Sequence, residues 1–353
     1  MHAIPDLETP AVLIDEDIVD RNIAAAQAQF SRLGVALRPH IKTHKLVRFA
    51  QKQIAAGAVG ITCQKTSEAE TFVEAGCRDV LITFNILGDA KLARLRRLSE
   101  RATITVVADN AVVVRGLSQA FADAAAPMRV LVECDTGLAR CGVQSPEAAA
   151  HLARLIAQSP GLQFAGLMTY PPPNSHERVE SFMREAKAGC MASIGHCETI
   201  SSGGTPSMKS VPAGTVVTEY RPGTYIYNDR SLIARGACML ADCALAVAAT
   251  VVSRPTPDRA ILDAGSKTLS SDLLGLTGYG LLRDYPEAVI SGLSEEHGHV
   301  DLTACACKPE VGETVLIIPN HACVVTNLFD QVHIHRSGRF IETVRVDARG
   351  CVF

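Results

Sequence analysis

The stretch RPHIKTHK, residues 38–45, sets Lys42 at the end of a short strand-like run. A lysine that reaches into a partly desolvated mouth loses its charge more readily and turns into a nucleophile for carbonyls; the ordinary alternative is a solvated loop lysine. Two glycine-containing turns could supply the second half of such a site. They are Ser201-Ser202-Gly203-Gly204-Thr205-Pro206 and Arg221-Pro222-Gly223-Thr224-Tyr225. Glycines there let backbone N–H groups approach a phosphate, although each turn taken alone is ordinary loop chemistry, and neither is a dinucleotide fingerprint or a P-loop. A third candidate is His321-Ala322-Cys323. Read as a strand, it projects residues i and i+2 from one face, so imidazole and thiolate could grip one borderline cation such as Zn²⁺. His333-Ile-His335 has the same spacing but reads as an ordinary surface strand, and Cys305-Ala-Cys307 as loop or core. His40 precedes Lys42 by two residues and is expected on the same strand face.

These residues need a frame. Short apolar, β-branched runs recur at 36–42, 58–64, 79–85, 103–109, 129–135, 162–170, 197–203 and 217–221, with amphipathic helical stretches such as 65–76 and 145–158 between them. In the latter, Ser145 has the character of an N-cap, with Pro146 in the first turn and Glu147 after it. Eight strands alternating with helices predict parallel pairing through right-handed crossovers, closing as a (β/α)₈ TIM barrel; an open doubly wound sheet is the alternative. The runs end in Lys42, Gln64, Asn85, Asp109, Asp135, Tyr170, Ser202 and Arg221, which such a barrel would gather at its C-terminal mouth. After about residue 240 the pattern becomes strand upon strand: ALAVAATVVSR, RAILDAG, TVLIIPN, ACVVTNL, QVHIHR and FIETVRV. The expected class is therefore α/β, a barrel over 16–240 followed by an all-β C-terminal domain at 241–353. Residues 1–15 join that second domain through the strand-like AVLIDED at 11–17, and a strand of that domain, which includes ACVVTNL, is expected to carry the metal pair.

Composition narrows the class of function. The 353 residues carry a formal charge of −3 and are 47% hydrophobic and 20% charged, an ordinary globular balance. A slightly acidic chain argues against broad nucleic-acid binding, and no apolar run is long enough to span a membrane. The N-terminus lacks a secretory pattern, so a cytoplasmic location is expected. Twelve scattered cysteines without any C-x-x-C read as reduced interior residues rather than a disulfide framework, Cys323 excepted.

Several segments in order give a more specific reading. RPHIKTHK (38–45), ITCQKTSEAE (61–70), ECDTGLARCGV (133–143), SSGGTPS (201–207), TEYRPGTYIYND (218–229), EEHGHVDL (295–302) and PNHACVVTNLFD (319–330) together resemble the fold-type III, alanine racemase-like pyridoxal-phosphate enzymes. Within that group the chain is similar to the D-threonine aldolase and D-serine dehydratase family, nearly end to end. The resemblance implies a barrel followed by a β domain, with pyridoxal 5'-phosphate held covalently on Lys42. It puts Arg140 near the phenolic oxygen of the cofactor and Arg221 against its pyridine nitrogen. The phosphate falls to the backbones of Gly204, Thr205, Gly223 and Thr224, with Tyr225 close by; Tyr170, ending its strand, joins the cofactor-binding set. His321 and Cys323 become ligands of a divalent metal (Zn, Mn, Mg or Co) beside the cofactor, and a homodimer is implied, with His297 a candidate to reach the partner's site.

One departure bears on mechanism. Some relatives carry a histidine and glycine just after the sixth strand, whereas here the loop reads Tyr170-Pro-Pro-Pro-Asn-Ser-His176. His44, His176 or a hydroxide on the metal is left to act as base. The implied activity is cleavage of β-hydroxy-D-α-amino acids to glycine and an aldehyde. Dehydration of D-serine or D-3-hydroxyaspartate with the same parts is the nearest alternative, and a non-catalytic cofactor-binding protein the second.

Overall fold

The computed structural model describes residues 7–353; residues 1–6 of the expected 1–15 segment lie outside it. The chain forms two compact units. One takes the chain up to Ala24, Thr43–Leu46 and Thr224–Gly350; the other takes Ala25–Lys42, Val47–Gly223 and Cys351–Phe353.

Strand β1 (Ala11–Asp15) belongs to the first unit. The second is built on eight parallel strands: β2 (Ala36–Leu37), β3 (Ile61–Cys63), β4 (Asp79–Asn85), β5 (Thr103–Ala108), β6 (Met128–Cys134), β7 (Leu162–Thr169), β8 (Thr199–Ser202) and β9 (Glu219–Tyr220). Their order is β2-β9-β8-β7-β6-β5-β4-β3. The ends of that order are joined by a parallel bridge between His40 and Thr62, and by Val59 N–H donating to Leu37 O at 2.9 Å. The sheet therefore curls into the expected barrel. All eight runs read from the sequence contain its staves; the longer ones are β-branched blocks buried on both faces, with Val80, Ile82, Val106, Val107, Val130 and Val132 all fully enclosed. The helix Pro146–Gln158 starts as expected, with Ser145 Oγ accepting from Ala148 N–H at 3.2 Å.

The first stave is shorter than the sequence suggests. It ends at Leu37, and Lys42 sits in the 3₁₀ turn Ile41–Thr43. Pro39 has no N–H to give the ladder, so the chain leaves the strand there. His40 and Lys42 consequently do not share a strand face; instead Lys42 N–H donates to His40 Nδ1 at 3.4 Å.

In the first unit, β1 is followed by β10 (Leu245–Thr256), β11 (Arg259–Leu262), β12 (Gly280–Leu282), β13 (Val289–Leu293), β14 (Gly298–Asp301), β15 (Thr314–Pro319), β16 (Gln331–Arg336) and β17 (Arg339–Arg345). Pairing is antiparallel throughout except β1 with β16. One expectation fails: ACVVTNL is not a strand but the helix Ala322–Leu328. Its buried residues are Ala322, Val325 and Thr326, a helical spacing rather than an alternating one. Two contacts fix its first turn: Ala322 N–H donates to Asp229 Oδ2 at 3.2 Å, and Thr326 Oγ1 donates to Ala322 O at 3.1 Å.

Candidate active site

In the barrel, parallel staves put Gln64, Asn85, Asp109, Asp135, Tyr170, Ser202 and Arg221 at one edge, at or immediately after their strand ends. Arg221 is 4% exposed. Its Nε donates to Ser201 Oγ at 2.7 Å and an Nη to Thr169 O at 2.6 Å. Ser201 Oγ in turn donates to Glu219 Oε1 at 2.7 Å, and Glu219 Oε2 accepts from Arg38 Nε at 2.6 Å. Arg38 also pairs with Asp79 at 2.6 Å. Burial pulls the Arg221 guanidinium below its ordinary value, opposed by Glu219 and Glu133, yet an arginine keeps its charge in proteins. Nη1 is left without a protein acceptor among the described residues, so a buried cation offers one donor to a guest.

Beside it, the Arg140 guanidinium lies 5.0 Å from the centre of the Tyr170 ring, a cation–π distance. Gly204 has φ +130, which a residue with a side chain rarely adopts, and a methyl there would stand 3.7 Å from the Tyr170 ring. Tyr220 OH donates to Gly204 O at 3.0 Å, fixing that turn. Thr205 is buried and Gly223 half-buried. His40 has a defined tautomer: Nδ1 accepts from Lys42 N–H, so Nε2 carries the proton and donates to Gln64 Oε1 at 3.1 Å. Lys42 itself is half-buried. A buried guanidinium, a glycine turn beside an aromatic ring and a half-buried lysine are a set of groups that suits pyridoxal phosphate.

Glu133, on β6, was missed by reading the sequence. It is 4% exposed, and burial pushes its carboxyl up to about 6; Arg140 and Arg221 oppose the rise while Asp109 and Asp135 add to it. His176 opens the helix His176–Ile194 and shares a 2.9 Å hydrogen bond with Ser210 Oγ.

In the other unit, His321 caps the helix Ala322–Leu328 and Cys323 lies in its first turn. The pair is brought together by helical rather than strand geometry, and the two side chains share a hydrogen bond. His321 Nδ1 donates to Asp272 Oδ2 at 2.7 Å. Thr43 Oγ1 lies 3.1 Å and Thr224 Oγ1 3.5 Å from Cys323 Sγ. Burial would lower His321, but Cys323, Asp272 and Asp229 outweigh it and push it up to about 9. Burial would likewise raise the Cys323 thiol, but His321 and the two threonine hydroxyls bring it below its ordinary value. A sulfur and an imidazole side by side are a donor pair that suits a borderline divalent cation. Among the described residues no three His, Cys, Asp or Glu side chains are grouped to hold a metal.

Tyr225 is 3% exposed, in the 3₁₀ turn Thr224–Ile226. His44 is fully buried, with Nδ1 accepting Leu46 N–H at 3.0 Å. His333 and His335 lie on β16, where His333 shares a 2.9 Å hydrogen bond with Thr343 Oγ1. Asp272, 49 residues before His321 in the chain, gave no sequence signal: a loop carboxylate has no spacing rule that ties it to a distant histidine.

The sequence model described as "Alanine racemase, N-terminal domain" matches residues 14–231, and "Putative serine dehydratase domain" matches 244–335. The chain is 36% identical over 98% of its length to a D-threonine aldolase of Arthrobacter sp., of which 93% is covered. It is 30% identical to a D-threo-3-hydroxyaspartate dehydratase of Delftia sp., covering 90% of this chain and 91% of that one. A crystal structure of D-threonine aldolase from Filomicrobium marinum superposes with a TM-score of 0.89 at 35% identity, covering 99% of this chain and 98% of that one. With matches of this length to both parts of the chain, the protein belongs to the fold-type III, alanine racemase-like family, in its D-threonine aldolase and D-serine dehydratase branch.

Proposed function

We propose that the protein is a metal-assisted, pyridoxal-phosphate-dependent aldolase that cleaves β-hydroxy-D-α-amino acids of the D-threonine type to glycine and an aldehyde. The observation that carries this reading is the pairing of His321 and Cys323 at the start of one helix, with Asp272 on the imidazole and Thr43 and Thr224 on the sulfur, in a chain matched end to end by a D-threonine aldolase. Pyridoxal phosphate, when bound, supplies an electron-withdrawing ring for the charge left at Cα, and a divalent metal (Zn, Mn, Mg or Co) supplies a Lewis acid for the β-hydroxyl.

The chain's own residues do the rest. Lys42 would hold the cofactor through its amine. Arg221 offers Nη1 to the ring nitrogen; as a permanent cation it donates there without giving up a proton, and so keeps that nitrogen unprotonated. Arg140 and Tyr170 flank the phenolic side, while the backbones of Gly204, Thr205, Gly223 and Thr224, with Tyr225, take the phosphate. His321 and Cys323 orient the β-hydroxyl, whose proton passes to His44 or His176. The barrel assigned to 16–240 serves the cofactor and the remaining residues serve the metal. A cytoplasmic homodimer acting on a small amino acid is part of the same reading; no described helix is long and apolar enough to cross a membrane.

A second reading is dehydration, favoured by the match of 244–335 to the serine dehydratase model. There a base removes the Cα proton and the hydroxyl departs. Incubation of the protein with cofactor, divalent metal and D-threonine, D-serine or D-3-hydroxyaspartate separates them. Glycine plus an aldehyde is expected; an oxo acid plus ammonia replaces the aldolase by the dehydratase.

A further inference from the structure

The ligand pair His321–Cys323 is surrounded by groups that the aldolase reaction does not itself require. Asp272 stands 2.7 Å from His321 Nδ1. A carboxylate only accepts, so Nδ1 carries a proton and Nε2 is the nitrogen that can turn to a cation. The Asp272 loop is itself tied down. Asn320, 1% exposed and next to His321, donates through Nδ2 to Asp272 O at 3.2 Å and to Gly278 O at 2.9 Å. Arg230 donates to Asn320 Oδ1 at 3.1 Å and to Gly278 O at 3.2 Å. On the sulfur side, the hydroxyls of Thr43 and Thr224 converge on Cys323 Sγ. Two hydroxyls within hydrogen-bonding reach of one sulfur limit where that sulfur can sit.

We propose that Asp272, Thr43 and Thr224 are positioning residues for the metal: Asp272 fixes the His321 ring so that Nε2 faces the cation, and the two threonines hold the Cys323 sulfur in place. This rests on the reading of His321 and Cys323 as metal ligands. The groups that orient a ligand commonly govern metal affinity about 10- to 100-fold.

The test uses the cofactor-loaded protein, dialysed against Zn²⁺ with the metal counted by atomic spectroscopy, and loaded with Co²⁺ for its visible d–d bands. Asp272→Ala is expected to weaken Zn²⁺ binding about 10- to 100-fold, Asp272→Glu to recover part of the loss, and Thr43→Val to shift the Co²⁺ bands, all with the melting temperature of the metal-free protein unchanged. Zn²⁺ affinity and Co²⁺ spectra equal to wild type in Asp272→Ala and Thr43→Val, with Cys323→Ala losing the metal, would overturn the positioning roles and leave the ligands standing. A wild-type protein that takes up no Zn²⁺ would overturn the ligand assignment and the positioning roles together.

Discussion

Glu133→Gln isolates the cost of a carboxylate enclosed in the barrel. Burial lifts Glu133 from 4.5 to about 6 in the folded protein. A raised carboxyl favours the protonated, folded form. Its contribution to stability is therefore fully present below pH 4.5 and is lost as pH rises through about 6. The whole shift corresponds to about 2 kcal/mol, of which about 1.2 kcal/mol falls between pH 5 and pH 8. Glutamine keeps the shape and cannot ionise. The stability of Glu133→Gln relative to wild type should thus rise by about 1.2 kcal/mol from pH 5 to pH 8. Urea unfolding of the cofactor-free proteins at both pH values, followed by circular dichroism, measures this double difference. A relative stability that is the same at pH 5 and pH 8 would refute the reasoning, because it would mean that Glu133 titrates alike in the folded and unfolded chains.

Further expectations concern the same barrel. Lys42→Ala should lose both turnover and the absorption band of lysine-bound cofactor, read by spectroscopy and product assay. Glu219→Gln removes one of the two charges that Arg38 faces at 2.6 Å, leaving Asp79, and should cost about 1 to 3 kcal/mol in urea unfolding; because Ser201 bridges Glu219 to Arg221, cofactor affinity should fall as well. Gly142 has φ +118, and a methyl there would lie 2.4 Å from Asp135 N. Gly142→Ala should therefore lower stability by at least about 1 to 3 kcal/mol and disturb the turn that carries Arg140, visible as weaker cofactor binding.

What the sequence disclosed follows physical lines. The central staves β4 to β7 were legible because their β-branched runs are enclosed on both faces, and Ser145 announced its helix through a local bond that spacing alone predicts. The segment 322–328 misled because Val324-Val325-Thr326 favours strand intrinsically, while its fate is set by Asp229, nearly a hundred residues earlier in the chain, which holds Ala322 N–H. Three short strands, β12 to β14, escaped because each contains a glycine and is five residues or fewer. Among site residues, Arg221 was readable from its motif, but the chain Arg221–Ser201–Glu219–Arg38 behind it was not. Those partners sit on different staves and meet only once the sheet curls.

The barrel is also stitched unevenly. β6 and β7 are paired over seven positions, whereas β2 meets β9 over only two, and a single bridge links His40 to Thr62 on the other side. Lys42 follows one of these short staves and Arg221 the other. The amides along this seam should be among the first in the sheet to exchange with deuterium, since few hydrogen bonds close it. A ligand that spans from Lys42 to Arg221 would act as a rivet across that seam, so loading the protein with cofactor should slow exchange at residues 36–42 and 219–223 more than anywhere else in the ring.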